Sequence, residues 1–105
     1  METNAHKESE KISKVNVILK NLGTVNKNEV VLSVNGKGTI TLFFSYETIV
    51  SFCLSTPDKD MDKTIKNYWS NTTGKLLNEC EPDKNKRLER EPFEKALTEA
   101  FNLLF

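Results

Sequence analysis

The sequence is poor in what most catalytic and metal centres require. It has one histidine, His6, and two cysteines, Cys53 and Cys80. With His6 among the charged first residues, no histidine is left for a Ser-His-Asp or Cys-His arrangement, or for a histidine metal site, in the part of the chain that reads as folded. Net charge is absent as well: 15 basic residues balance 15 acidic ones, so nothing global draws the chain to nucleic acid or an anionic membrane. The same balance argues against a DNA mimic, which needs strong acidity. No run approaches the roughly 18 to 20 apolar residues of a membrane span, and METNAHKESEK lacks the apolar stretch of a signal peptide. The expectation is a cytoplasmic protein with two reduced thiols and no membrane partner. Asn71-Thr72-Thr73, formally a glycosylation site, then has no use.

What is present is alternation. Val15, Val17 and Leu19, then Val30, Leu32 and Val34, then Ile40, Leu42 and Phe44, then Val50, Phe52 and Leu54 recur with period two. Successive side chains of a strand point to opposite faces, so these triplets predict four strands sharing one apolar face. Asn21 to Asn28, Asn35-Gly36-Lys37-Gly38 and Ser45-Tyr46-Glu47-Thr48 are short polar breaks suited to hairpins. Lys63 to Asn67, with Ile65, is a candidate fifth edge strand. The first 14 residues carry no apolar period and read as a disordered tail, leaving 15–105 as one domain.

From Ser70 the period changes. Ser70 or Asn71 can cap a helix whose inner side is Thr73, Leu76, Leu77 and Cys80, with Trp69 at its entrance and Pro82 beyond its end. Glu91-Pro92 suits a first turn, and Phe93, Leu97, Ala100, Phe101 and Leu104 form one stripe to the C-terminus. The expected architecture is α+β: an antiparallel meander of four to five strands with two helices packed on one face. The other face then carries Asn16, Ile18, Lys20, Val31, Ser33, Thr39, Thr41, Phe43, Ile49, Ser51 and Cys53. Ile18, Val31, Phe43 and Ile49 are its candidate self-association patch, for a homodimer; cross-strand pairing or a covering loop is the structural alternative.

Motifs that resemble chemical sites fail on inspection. Asp58-Lys59-Asp60-Met61-Asp62 opens like a calcium loop, but Lys63 stands where glycine is needed and Trp69 where a bidentate glutamate is needed. Thr73-Gly74-Lys75 resembles the end of a phosphate loop, yet Trp69 occupies the place of its first glycine and Leu76 that of its hydroxyl. No cofactor is expected, no residue is a candidate catalyst, and Glu47 beside Tyr46 is a solvated turn acid. Lys84, Lys86, Arg87 and Arg90 form the densest basic cluster, with Lys75 near it, and are candidate contacts to nucleic acid or an acidic protein face; Asp83, Glu89 and Glu91 interleave them, as in a solvated linker. Phe43 with Lys20 faintly suggests base stacking, but GKGTITLFF departs from the glycine-aromatic motif of RNA-binding sheets.

Ser45-Tyr46-Glu47-Thr48-Ile49-Val50-Ser51-Phe52 and Tyr68-Trp69-Ser70-Asn71-Thr72-Thr73-Gly74-Lys75-Leu76-Leu77-Asn78, closed by Lys86-Arg87, Pro92 and Phe93, carry a resemblance. From Phe43 onward the chain resembles a family of small uncharacterised proteins encoded by phages and prophages of Gram-positive bacteria; its first 40 residues match only in general pattern. It departs from the family at Leu76, where members usually have histidine, and at Ser51, where alanine is frequent. The resemblance implies a binding surface of Tyr46, Trp69, Thr72, Thr73, Lys75 and Asn78, although capping and packing account for much of the motif. The leading expectation is a non-enzymatic phage or prophage accessory protein in the host cytoplasm. It would bind a host or phage protein, such as a CRISPR effector or other nucleoprotein, as an inhibitor of host defence. The alternative is a sequence-tolerant nucleic-acid-binding protein.

Overall fold

A computed structural model describes residues 15–22, 27–69 and 71–105. The tail expected over residues 1–14, the connection 23–26, Ser70 and the side chain of Asn71 lie outside the described residues. Five strands form in chain order: β1 (Val15–Asn21), β2 (Lys27–Val34), β3 (Gly38–Ser45), β4 (Thr48–Ser55) and β5 (Asp60–Thr64). They make one antiparallel sheet in the order β1-β2-β3-β4-β5, the meander that period-two alternation with short polar breaks implies. Two helices follow, α1 (Asn71–Cys80) and α2 (Arg90–Leu104), joined through a 3₁₀ turn at Lys84–Lys86. The fold is therefore α+β.

The turns explain the register. Between β2 and β3, Lys37 N donates to Val34 O at 3.0 Å. Gly36 and Gly38 there take φ of +80° and +140°. A side chain on Gly38 would run into Ser55 O and come within 3.0 Å of Thr56 Cα, so only glycine lets β3 start against the end of β4. Between β3 and β4 the reversal is made by Tyr46 at φ +56°. Between β4 and β5, Thr56 Oγ1 accepts from Lys59 N at 2.8 Å and donates to Lys59 O at 2.7 Å. The acidic stretch that opens like a calcium loop is thus a hydroxyl-pinned hairpin running into β5, which begins at Asp60 rather than Lys63.

One face of the sheet carries the main core. Ile40, Leu42, Val50, Phe52 and Leu54 are buried there against Phe93, Ala100 and Leu104 of α2. The Phe52 and Phe93 rings meet at 5.8 Å, a tilted pair that adds about 0.5–1.5 kcal/mol beyond the area buried. The register between β3 and β4 shifts between Phe43 and Phe44, where Phe44 pairs with Ile49 and Phe43 with Ser51, leaving Val50 as the extra residue of a bulge.

The helices do not share that face, which corrects the expectation from periodicity. Ser45, Phe43 and Lys27 lie on the opposite face by pairing and alternation, as does Ser51. It is to these residues that α1 binds: Thr73 Oγ1 lies 2.7 Å from Ser45 Oγ, and Glu79 reaches Lys27 at 3.8 Å. Leu76 and Leu77, on the same side of α1 as Thr73 and Cys80, are fully buried. The segment between the helices passes around the outside of β5. Leu88 N donates to Thr64 O at 2.8 Å and Lys66 N to Leu88 O at 2.7 Å, a one-residue parallel bridge with Ile65 that covers the β5 edge. Each helix stripe is amphipathic, but a stripe alone does not say which side of a sheet it will meet.

Candidate functional site

The path of the connection places three stretches of chain side by side: the end of β5, the outer side of α1, and the turn after it. Lys66 and Asn67 from the first, Gly74, Lys75 and Asn78 from the second, and Lys84 and Arg87 from the third line an open groove of about 700 Å³. Four cations and no acid line it. Lys66 also reaches Glu89 at 3.4 Å, whereas Lys75, Lys84 and Arg87 form no ion pair among the described residues.

Arg87 is the fixed charge of the groove. It is only 5% exposed, and its partners are neutral oxygens: Nε donates to Glu81 O at 3.0 Å and Nη2 to Asn78 Oδ1 at 2.7 Å. Because no carboxylate pairs with this guanidinium among the described residues, its charge is uncompensated at the groove wall. Those two bonds also lock the end of α1 to the chain that follows it. Gly74 has a local reason too. Helical glycine costs about 1 kcal/mol against alanine, but a Cβ here would meet Asn67 Nδ2 at 3.1 Å. Asn67 Oδ1 in turn accepts from Trp69 N at 2.9 Å, turning the chain from β5 towards α1.

Beside the groove, directly after Asn67, stands an exposed aromatic pair. Tyr68 and Trp69 meet edge to face at 5.9 Å, and the Arg90 guanidinium lies 5.1 Å from the Tyr68 ring centre and 5.8 Å from that of Trp69. The hydroxyl of Tyr68 accepts from Arg90 N at 3.3 Å, at the start of α2. The rings follow the groove residue Asn67 in the chain, but Trp69 lines a separate hollow with Phe44, Glu47, Arg90, Phe93 and Glu94.

This arrangement regroups the residues singled out in the sequence. Lys75 and Asn78 come together with Lys84 and Arg87 in one groove, although the sequence placed them in separate sets. Arg90 goes to the aromatic pair, and Lys86 is exposed outside the groove lining. Thr73 is buried in its bond to Ser45, and Thr72 is half-buried. Tyr46, 57% exposed, sits across the sheet in a mainly apolar hollow with Leu19, Val30 and Phe44, which Asn28 and Glu47 also line. Lys66, Asn67 and Gly74 were not singled out. Lys66 and Asn67 look like the end of a strand in sequence, and only the bridge to Leu88 shows that the strand has already stopped. The candidate self-association patch separates: Ile18 and Val31 remain paired on the side away from α2, Phe43 lies beside Ser51 near α1, and Ile49 packs on the α2 side against Phe44, Phe93 and Leu97 because of the bulge.

Neither thiol is activated. Burial, then Asp62 and Asp60, push the Cys53 thiol up; burial pushes Cys80 up, with the Ser51 hydrogen bond opposing. Both shifts run opposite to that of a nucleophilic cysteine. Among the described residues no group of three or more His, Cys, Asp or Glu side chains is placed to hold a metal ion, and no helix is long and apolar enough to cross a membrane.

No curated protein and no solved structure matches the chain. A family model does match, over residues 4–95, which takes in every strand, α1, the groove, the aromatic pair and the start of α2. The chain belongs to the family of unknown function DUF8033.

Proposed function

We propose that this protein is a non-catalytic binding protein that takes a single-stranded, phosphate-bearing nucleic acid along the groove beside α1. The observation that carries this reading is the acid-free groove of Lys66, Lys75, Lys84 and Arg87, with the exposed rings of Tyr68 and Trp69 next in the chain after its Asn67. Backbone phosphates gain affinity by releasing condensed counterions to such cations, and ring faces accept bases of any sequence at about 1–3 kcal/mol per stacked base. With no net charge on the chain, attraction is local to the groove.

The test is fluorescence anisotropy of a labelled single-stranded oligonucleotide titrated with the full chain at several salt concentrations. Three or four neutralised phosphates give a log–log salt slope of about −2 to −3, since each contributes about −0.7 on a single strand. Lys75→Glu and Lys84→Glu should each flatten the slope by about 0.7. Absence of binding at low salt rejects the reading.

A second reading follows the resemblance of Ser45–Phe52 and Tyr68–Asn78: a phage or prophage accessory protein inhibiting a host defence component. The observation favouring it is the mainly apolar hollow of Leu19, Val30, Phe44 and Tyr46, rimmed by Asn28 and Glu47, a surface suited to a protein rather than to phosphates. Capture from a Gram-positive host lysate separates the two. A stoichiometric protein that survives nuclease supports the inhibitor, and loss of every partner on nuclease treatment supports the nucleic-acid reading.

A further inference from the structure

The two edges of the sheet are treated differently. At the β5 edge stand Asp60, Asp62 and Lys63, and Leu88 bridges to Ile65 just beyond the strand. Charge and cover are the usual means of keeping an edge from pairing with another chain. The β1 edge has a single charge, Lys20, and, among the described residues, no strand covering it. Its pairing with β2 runs through seven consecutive partners without a bulge, and it contains no proline. Val17, Ile18 and Leu19 are 63%, 53% and 69% exposed, and because they alternate, β1 is apolar on both faces at its midpoint.

We propose that β1 pairs with β1 of a second copy of this chain, antiparallel about Ile18, so that two five-stranded sheets become one. The strand is complementary to itself in this register. Ile18 meets its counterpart, Val17 faces Leu19, Lys20 faces Asn16 and Val15 faces Asn21, so all seven residues are paired and no like charges are opposed. Moving the axis to Lys20 sets lysine against lysine and leaves most of the strand unpaired. The adjoining residues 1–14 are a poor occupant of the same edge: Glu2, Lys7, Glu8, Glu10, Lys11 and Lys14 dominate them, with Met1, Ala5 and Ile12 too far apart for an alternating apolar strand. The two-fold axis stands perpendicular to the joined sheet. It places Val17 and Leu19 of both copies on the α2 side and the two Ile18 side chains on the other. A single-strand interface is smaller than the roughly 1,200 Å² of stable complexes, so the dimer exchanges with monomer.

Sedimentation velocity of the full chain over a range of concentrations tests this, together with two charge variants. The wild type should pass reversibly from monomer to dimer. Ile18→Asp and Ile18→Lys should each weaken the dimer about tenfold or more, through like charges opposed at the axis and lost apolar contact. An equimolar mixture of the two should restore a heterodimer, because the opposed charges now attract. Unchanged circular dichroism and urea midpoints show that the exposed position has not altered the fold. A wild type that stays monomeric throughout, a dimer indifferent to both variants, or a mixture that fails to reassociate would each overturn the proposal.

Discussion

The bond between Ser45 and Thr73 is the sharpest handle on the placement of α1. The two hydroxyl oxygens are 2.7 Å apart, Thr73 is 1% exposed and Ser45 5% exposed, so neither can turn to water if the other is removed. Thr73→Val keeps shape and strands the Ser45 hydroxyl, at a cost of about 1–3 kcal/mol; Ser45→Ala strands Thr73 and costs a similar amount. Removing both hydroxyls leaves nothing unsatisfied, so the double variant should lie within about 1 kcal/mol of the wild type. The coupling energy in a double-mutant cycle is therefore about 1 kcal/mol or more in magnitude, and singles and double should differ visibly in thermal midpoint, by about 4–8 °C per kcal/mol for a domain of this size. Urea denaturation of the four proteins, with a common slope, gives the cycle. If the two single effects simply add, the hydroxyls do not share a buried contact, and the assignment of α1 to the side of the sheet away from α2 is wrong.

Other outcomes follow from local geometry. Gly38→Ala should destabilise by about 3 kcal/mol or more, since it combines a disfavoured φ with a clash against the Ser55 carbonyl and Thr56. Gly36→Ala, with open space around it, should cost only the left-handed backbone penalty of about 1–2 kcal/mol; equal urea midpoints for the two would refute the distinction. Arg87→Gln should lower both stability and oligonucleotide affinity, because the same side chain ties α1 to Glu81 and charges the groove. Lys86→Gln, outside the groove lining, should leave urea midpoint and affinity nearly unchanged. The raised Cys80 pKa means that the fold favours the neutral thiol. Its contribution to stability is present below the unfolded thiol value, about 8.5, and is lost as pH rises through the higher folded value. Cys80→Ser should flatten the fall in stability above that pH, and an unchanged alkaline profile would count against burial as the cause.

Much of the sheet was legible because alternation is a property of neighbouring residues. Val30, Leu32 and Val34, or Ile40, Leu42 and Phe44, announce strands by themselves, and the polar breaks between them are too short for anything but antiparallel reversal. The helix stripes were legible for the same reason. Two things were hidden by local ambiguity. Ile49 has the parity of the face away from α2, and only the register shift opposite Phe44 turns it towards the core. Lys63 to Asn67 looks like a strand in composition, but Thr56 and Lys59 close a turn that starts β5 three residues earlier.

The candidate site was half visible. Lys75 and Asn78 on one side, and Lys84 and Arg87 on the other, stood out as polar or basic residues near a helix. Their convergence depends on Arg87 folding back to Asn78 and Glu81, a contact no spacing rule encodes. By itself the sequence determined the meander, the two amphipathic helices and the shortage of catalytic side chains, because period, turn chemistry and composition act over a few residues. The tertiary structure alone decided which face each helix covers, since either face offers apolar partners and the choice rests on the route of Glu81–Glu89 around β5. That route also brings four cations to one groove, a grouping set by long-range contacts between segments that carry no mark of each other.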